Sequence, residues 1–148
     1  MVKLLDWPPV WLAAFLALAY GIRDADMGMS LPGWVPWLAV ALIVAGLGLM
    51  LLSAAHLKAR KTTIIPHRNP SALVTHGVYR FSRNPIYLAD VAILLGAILW
   101  WNALTALILV PVFMAVIEWR FIRLEEKTLR AHFGAKYESW AAVVRRWL

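Results

Sequence analysis

The sequence predicts an all-α protein built into a membrane: four apolar helices, a basic cytoplasmic loop and a C-terminal helix at the membrane interface. Composition is the first reason. Hydrophobic residues make up 62% of the 148, and charged residues only 16%; a soluble domain is about half apolar and about a quarter charged. The second reason is that the apolar residues fall into runs of roughly membrane-spanning length. The third is the placing of Lys and Arg, which collect in two blocks that one topology brings to the same side. The length suits a single domain over 1–148.

The first apolar run, Trp7 to Ile22, lies between Asp6 and Arg23. Lys3 before it and Ala17-Leu18-Ala19 within it resemble a signal peptide, but Asp6, Pro8 and Pro9 break the basic n-region, so the run is expected to stay as span one, about 7–23. The second run, Met27 to Ala55, gives span two over about 35–57, with Gly46 and Gly48 allowing close helix packing. Val91 to Ile117 carries no charge, and it reads either as one long helix or as two short ones meeting at Trp100-Trp101-Asn102.

Charge decides between them. Between His56 and Pro85 lie six cations (Lys58, Arg60, Lys61, Arg68, Arg80 and Arg83) and no acid; from Glu118 onward there are seven Lys/Arg and four Glu. A single helix would put these basic segments on opposite sides, whereas two put both in the cytoplasm. The expected spans are therefore about 86–101 and 103–123, with both termini cytoplasmic and the Arg23, Asp24, Asp26 loop outside. Trp34, Trp37, Trp100 and Trp101 then mark the outer interface, and Trp7, Trp11 and Trp119 the inner one. Pro111 predicts a kink in span four. Beyond it, 124–148 reads as a cytoplasmic helical tail, with Gly134 as a C-cap and Tyr137, Trp140 and Val144 as an apolar stripe lying on the bilayer.

The net charge of +7 fits nucleic acid or an anionic membrane surface; the hydrophobicity decides for membrane lipid and against nucleic acid. Cys is absent, which excludes thiolate chemistry. His56, His67, His76 and His132 lack paired ligand spacing, so no metal site is expected.

The chemistry-bearing stretch is Thr62 to Asp90. Pro85 fits the first turn of span three and Asn84 its N-cap. Arg80 and Arg83 beside a helix N-terminus make an anion site, although basic residues here also serve simply to meet lipid phosphates. Gly77 permits a tight turn or a close approach to a ligand. Asp90, one turn into span three, is a functional acid or the partner of a nearby Arg. Past span four come Arg120, Arg123, Glu125 and Glu126. The adjacent acids diverge by about 100° on a helix, so they cannot share a face. A surface salt bridge from Glu126 to Arg130 is the plain alternative.

Taken together, Gly77-Val78-Tyr79, Arg83-Asn84-Pro85-Ile86-Tyr87, a hairpin at Asn102, Glu125-Glu126 and Phe133-Gly134-Ala135-Lys136-Tyr137 resemble the isoprenylcysteine carboxyl methyltransferase family and its relatives, the membrane phospholipid methyltransferases. The resemblance covers about 60–148, and the four spans and Asn84 are similar to its short bacterial members, which implies a bacterial inner membrane. It implies an enzyme that binds S-adenosylmethionine without a Rossmann domain and methylates a lipophilic acceptor. By resemblance, Val74, Thr75, Gly77, Tyr79, Asn84, Pro85, Tyr87 and Glu126 bind the cofactor. Arg83, Arg120, Arg123 and Glu125 form the catalytic set, the arginines approaching the acceptor. A carboxyl acceptor, as in the isoprenylcysteine enzymes, is the leading expectation, and an N-methylated phospholipid or small amine the alternative. A more distant likeness is to NADPH-dependent membrane sterol reductases, on the Arg83…Tyr87 region and Asp90. A four-span exporter would need an acid in span one, where there is none. A homo-oligomer is compatible with all of these.

Overall fold

A computed structural model describes residues 6–26, 30–62 and 70–148. His67 and Arg68 lie outside the described residues. Among the described residues every regular element is helical: α1 (Pro8–Ile22), α2 (Val35–Ala59), α3 (Pro85–Trp100), α4 (Leu109–Ile117), α5 (Arg123–Phe133) and α6 (Ala135–Val143). Prolines open the first three in their first turn, where the missing N–H would have had no partner and the fixed φ suits a helix.

Among the described residues, two helical stretches are long and apolar enough to cross a membrane: Val35–Ala59 and Leu104–Phe133. α1 and α3 are shorter, with 15 and 16 residues. α3 and the Leu104–Phe133 stretch are joined by a turn in which Asn102 takes a left-handed φ of 55°, a conformation Asn tolerates better than most residues. Pro111 lies where the helix changes type. It sits in the first turn of α4, directly after a 3₁₀ segment, Leu104–Ile108. The tighter turn removes the α-helical bond that the proline ring would have broken. Between α4 and α5 a π-turn, Glu118–Ile122, inserts an extra residue and resets which faces Glu125 and Glu126 present.

α2 and α3 pack most closely. A Cβ on Gly46 would lie 2.9 Å from the Ala89 carbonyl oxygen, and one on Gly96 would lie 2.8 Å from that of Ala39. Gly46 thus plays the expected packing role, whereas Gly48 faces open space and Gly96 supplies the second contact. The main core joins α1, α3 and α4 through Phe15, Leu94, Ile98, Phe113 and Ile117. Phe15 and Phe113 meet edge to face at 5.2 Å, a favoured aromatic geometry.

The C-terminal part corrects an expectation. Gly134 does end α5, its N–H donating to the Arg130 carbonyl at 2.9 Å with φ at 48°. The stripe beyond it does not lie on a bilayer. Tyr137, Trp140 and Val144 are buried in a second core with Val74 and Tyr79. Apolar spacing sets which face of a helix is buried but not what buries it, and here the protein's own 74–79 segment does. The Trp140 indole N–H also donates to the Tyr79 carbonyl at 3.2 Å.

Candidate active site

The second core forms one wall of a cavity of about 540 Å³, within the range that holds cofactor-sized ligands. Its other walls come from the start of α1, the last turns of α2, the head of α3 and one face of α5. Part of the lining is apolar, from Trp7, Pro8, Pro9, Met50 and Leu51; Leu51 is 72% exposed and Trp7 47%, so this rim reaches the outer surface of the bundle. The polar lining comes from Thr62, Tyr79, Arg83, Asn84, Tyr87, Asp90, Glu125 and Thr128.

The head of α3 sets much of the polar lining. Pro85 begins the helix and Asn84 holds the N-cap position, its carbonyl accepting from the Leu88 N–H at 3.0 Å. Its side chain does not cap. The Asn84 amide instead donates to the Arg146 carbonyl at 3.0 Å, and its backbone N–H is satisfied by Ser82 Oγ at 3.1 Å. One turn into α3, the Tyr87 hydroxyl donates to Glu125 Oε1 at 2.6 Å, a charge-assisted length. Arg83 is only 14% exposed at its side chain; it donates through Nη1 to the Tyr137 hydroxyl at 3.0 Å and lies 3.4 Å from Glu126. Its Nε is buried and has no hydrogen-bond partner among the described residues. Burial, reinforced by the nearby Glu125, pushes the Tyr79 phenol well above the ordinary tyrosine value, so it remains a neutral donor.

The predicted residues separate into groups. Val74, Tyr79, Arg83, Asn84, Pro85, Tyr87 and Glu125 all line this cavity. Thr75 lines a separate open depression with Arg80 and Lys136, on the other side of Trp140. Gly77 has φ of 62°, and an added Cβ would collide with the His56 ring; the glycine makes a turn and lets α2 approach it. Arg120 pairs with Asp6 at 3.2 Å and lies over the Trp11 ring. Arg123 is 63% exposed at its side chain and reaches Glu118 at 3.4 Å. Neither arginine lines the cavity.

Glu126 lies behind the cavity wall. The adjacent acids do diverge: Glu125 faces the cavity and Glu126 the C-terminal segment. The surface bridge from Glu126 to Arg130 does not form, because Arg130 pairs with Glu138. Glu126 accepts both prongs of the Arg146 guanidinium, at 2.9 and 2.7 Å.

Two groups lacked a decisive signal in the sequence. Asp90 lines the cavity and is 3% exposed; an intramembrane acid flags it, but spacing alone does not aim it. Trp140 and Arg146 reach the site only through tertiary folding.

No curated protein and no solved structure matches the chain. Residues 34–136, more than two thirds of the sequence, match the family model described as phospholipid methyltransferase. That match runs from the start of α2 through the loop, the head of α3 and the acidic pair, the segments that build most of the cavity. The chain belongs to the phospholipid methyltransferase family.

Proposed function

We propose that this chain is an integral membrane methyltransferase that uses S-adenosylmethionine to methylate a lipophilic acceptor. The observation that carries the reading is that one cavity combines an apolar rim at the bundle surface with a polar lining that includes Arg83, Tyr87 and Glu125. A lipid-like acceptor enters at Trp7 and Leu51, and the soluble cofactor lies against the polar lining. Arg83 fits that cofactor, because its guanidinium lines the cavity and the amino-acid end of S-adenosylmethionine brings a carboxylate that a guanidinium can bind. When bound, this cofactor supplies an electrophilic methyl group on a sulfonium.

The chain's contribution is alignment. Arg83 holds an anionic group at the head of α3. Tyr79 and Tyr87 present neutral hydroxyls, and Tyr87 fixes the rotamer of Glu125 through its 2.6 Å bond. A carboxylate acceptor arrives ionised and needs no base. An ammonium acceptor must first lose a proton, and Glu125 stands where it can take it. The buried Asp90 in the same cavity favours this amine reading, since an acid there is matched by a cationic headgroup.

In the membrane, α1, α2, α3 and the apolar part of the Leu104–Phe133 stretch, to about residue 123, make four spans with both termini cytoplasmic, the arrangement that places both basic segments inside. A bacterial inner membrane suits it. The experiment is transfer of a labelled methyl group from S-adenosylmethionine to a membrane lipid extract by the purified protein, with the labelled product identified. A labelled amine or carboxyl lipid supports the reading and names the acceptor atom. No labelled lipid, together with oxidation of NADPH on an isoprenoid substrate, would replace it with a reductase.

A further inference from the structure

The residues after Val144 run back across the outside of the cavity wall as an extended strap. Arg83 donates its backbone N–H to the Arg145 carbonyl at 3.0 Å. The Arg146 carbonyl accepts from Asn84 Nδ2 at 3.0 Å and from Ser82 Oγ at 3.4 Å. The Arg146 side chain then turns inward. Its guanidinium takes both oxygens of Glu126 and also Glu118 Oε1, the last at 2.8 Å. Trp147 adds an indole N–H to Glu118 at 3.5 Å. Glu126 in turn lies against Arg83.

Arg146 therefore grips the Arg83–Asn84 wall twice. Its carbonyl holds the backbone turn through Asn84 and Ser82, and its guanidinium holds the acid that braces the Arg83 side chain. Glu118 begins the π-turn and Glu126 lies in α5, so the same guanidinium ties that irregular turn to α5 and, through Glu126, to Arg83. A planar five-donor fork can serve three carboxylate oxygens on two acids at once, and a Lys ammonium cannot reproduce that geometry. The strap lies beyond the 34–136 segment that matches the family model.

We infer that Arg146 is a positioning residue, by which the C-terminal strap fixes Arg83 and Asn84 in the orientation that receives the bound ligand. This rests on the proposed function, in which the cavity holds the methyl donor. Arg146 touches no reacting atom; it acts through Glu126 and the Ser82–Asn84 turn. A misplacement of about 1 Å in such a wall is enough to cost up to about a hundredfold in turnover.

The test compares full-length wild type with Arg146→Ala, Arg146→Lys, Lys136→Ala, Glu126→Gln and the Arg146→Ala/Glu126→Gln double variant, all in detergent. Lys136 is an exposed cation on α6, so its loss controls for surface charge. Affinity for S-adenosylhomocysteine is read by calorimetry, donor KM and kcat by methyl transfer, and folding by Tm. Arg146→Ala is expected to weaken S-adenosylhomocysteine and raise donor KM at least about tenfold, Arg146→Lys to recover part of this, and Lys136→Ala to change neither. The double variant should bind no worse than Arg146→Ala, because both changes break one linkage. The inference is overturned if Arg146→Ala keeps wild-type affinity and KM, or if its activity falls only in proportion to the unfolded fraction. Wild type that binds no S-adenosylhomocysteine contradicts the proposed function instead. The strap is then tested by hydrogen exchange at the Arg83 amide, which should be protected in wild type and exchange faster in Arg146→Ala. Equal exchange would overturn the strap as well.

Discussion

Arg83→Ala separates a ligand-holding arginine from a membrane-facing one. In the folded protein the Arg83 side chain is 14% exposed and bonds Tyr137 at 3.0 Å, with Glu126 at 3.4 Å. Its removal does not strand Glu126, whose two oxygens stay on Arg146. The stability cost is therefore that of the Tyr137 bond and a shared ion pair, about 1–2 kcal/mol. The functional cost is larger. A contact to a charged ligand group contributes roughly 1.5–3 kcal/mol, or about one to two decades in rate if it acts in the transition state. Lys58→Ala is the comparison: Lys58 lies exposed near the end of α2, and losing its attraction to lipid headgroups changes binding by about 1 kcal/mol at most. The assay is methyl transfer to an identified acceptor, with Tm measured on the same samples. Equal loss of activity from both variants in well-folded protein would refute the reasoning and reduce Arg83 to a membrane anchor.

The acidic pair should respond unequally. Glu125→Gln is expected to lower turnover with little change in Tm, because Glu125 faces the cavity, whereas Glu126→Gln should lower Tm by loosening Arg146; paired kcat and Tm measurements check this. Gly77→Ala should destabilise by at least about 1–2 kcal/mol, the cost of a left-handed φ for a residue with a Cβ, plus displacement of His56, and thermal melts read it directly. Reporter fusions at Leu148 and in the loop after Asp24 should report opposite sides of the membrane; the same side would remove the hairpin at Asn102 from the topology.

The local signals in the sequence translated well into structure. Pro85 opens α3, Gly134 closes α5, and Asn102 lies in the turn between α3 and the Leu104–Phe133 stretch, because each constrains its own backbone whatever packs around it. The hydrophobic pattern located the apolar helices for the same reason. What it could not supply was the identity of the neighbour. Tyr137, Trp140 and Val144 have the spacing of a membrane-facing stripe, yet they pack on Val74 and Tyr79. The three arginines of the expected catalytic set looked alike in sequence. Only folding distinguishes Arg83 in the cavity wall from Arg120 on Asp6 and Arg123 at the surface, and Arg146 is twenty residues from the acid it grips. The π-turn at Glu118–Ile122 had no local marker either, although it shifts the register of both acids.

In the proposed function, the cavity between the head of α3 and α5 receives the methyl donor. Calorimetric titration of S-adenosylhomocysteine into purified wild type and Arg83→Ala tests it most directly. The account predicts binding in the micromolar range usual for enzyme substrates and at least tenfold weaker binding to Arg83→Ala at unchanged stoichiometry. Absence of binding to folded wild type, or identical affinity in both proteins, would contradict it.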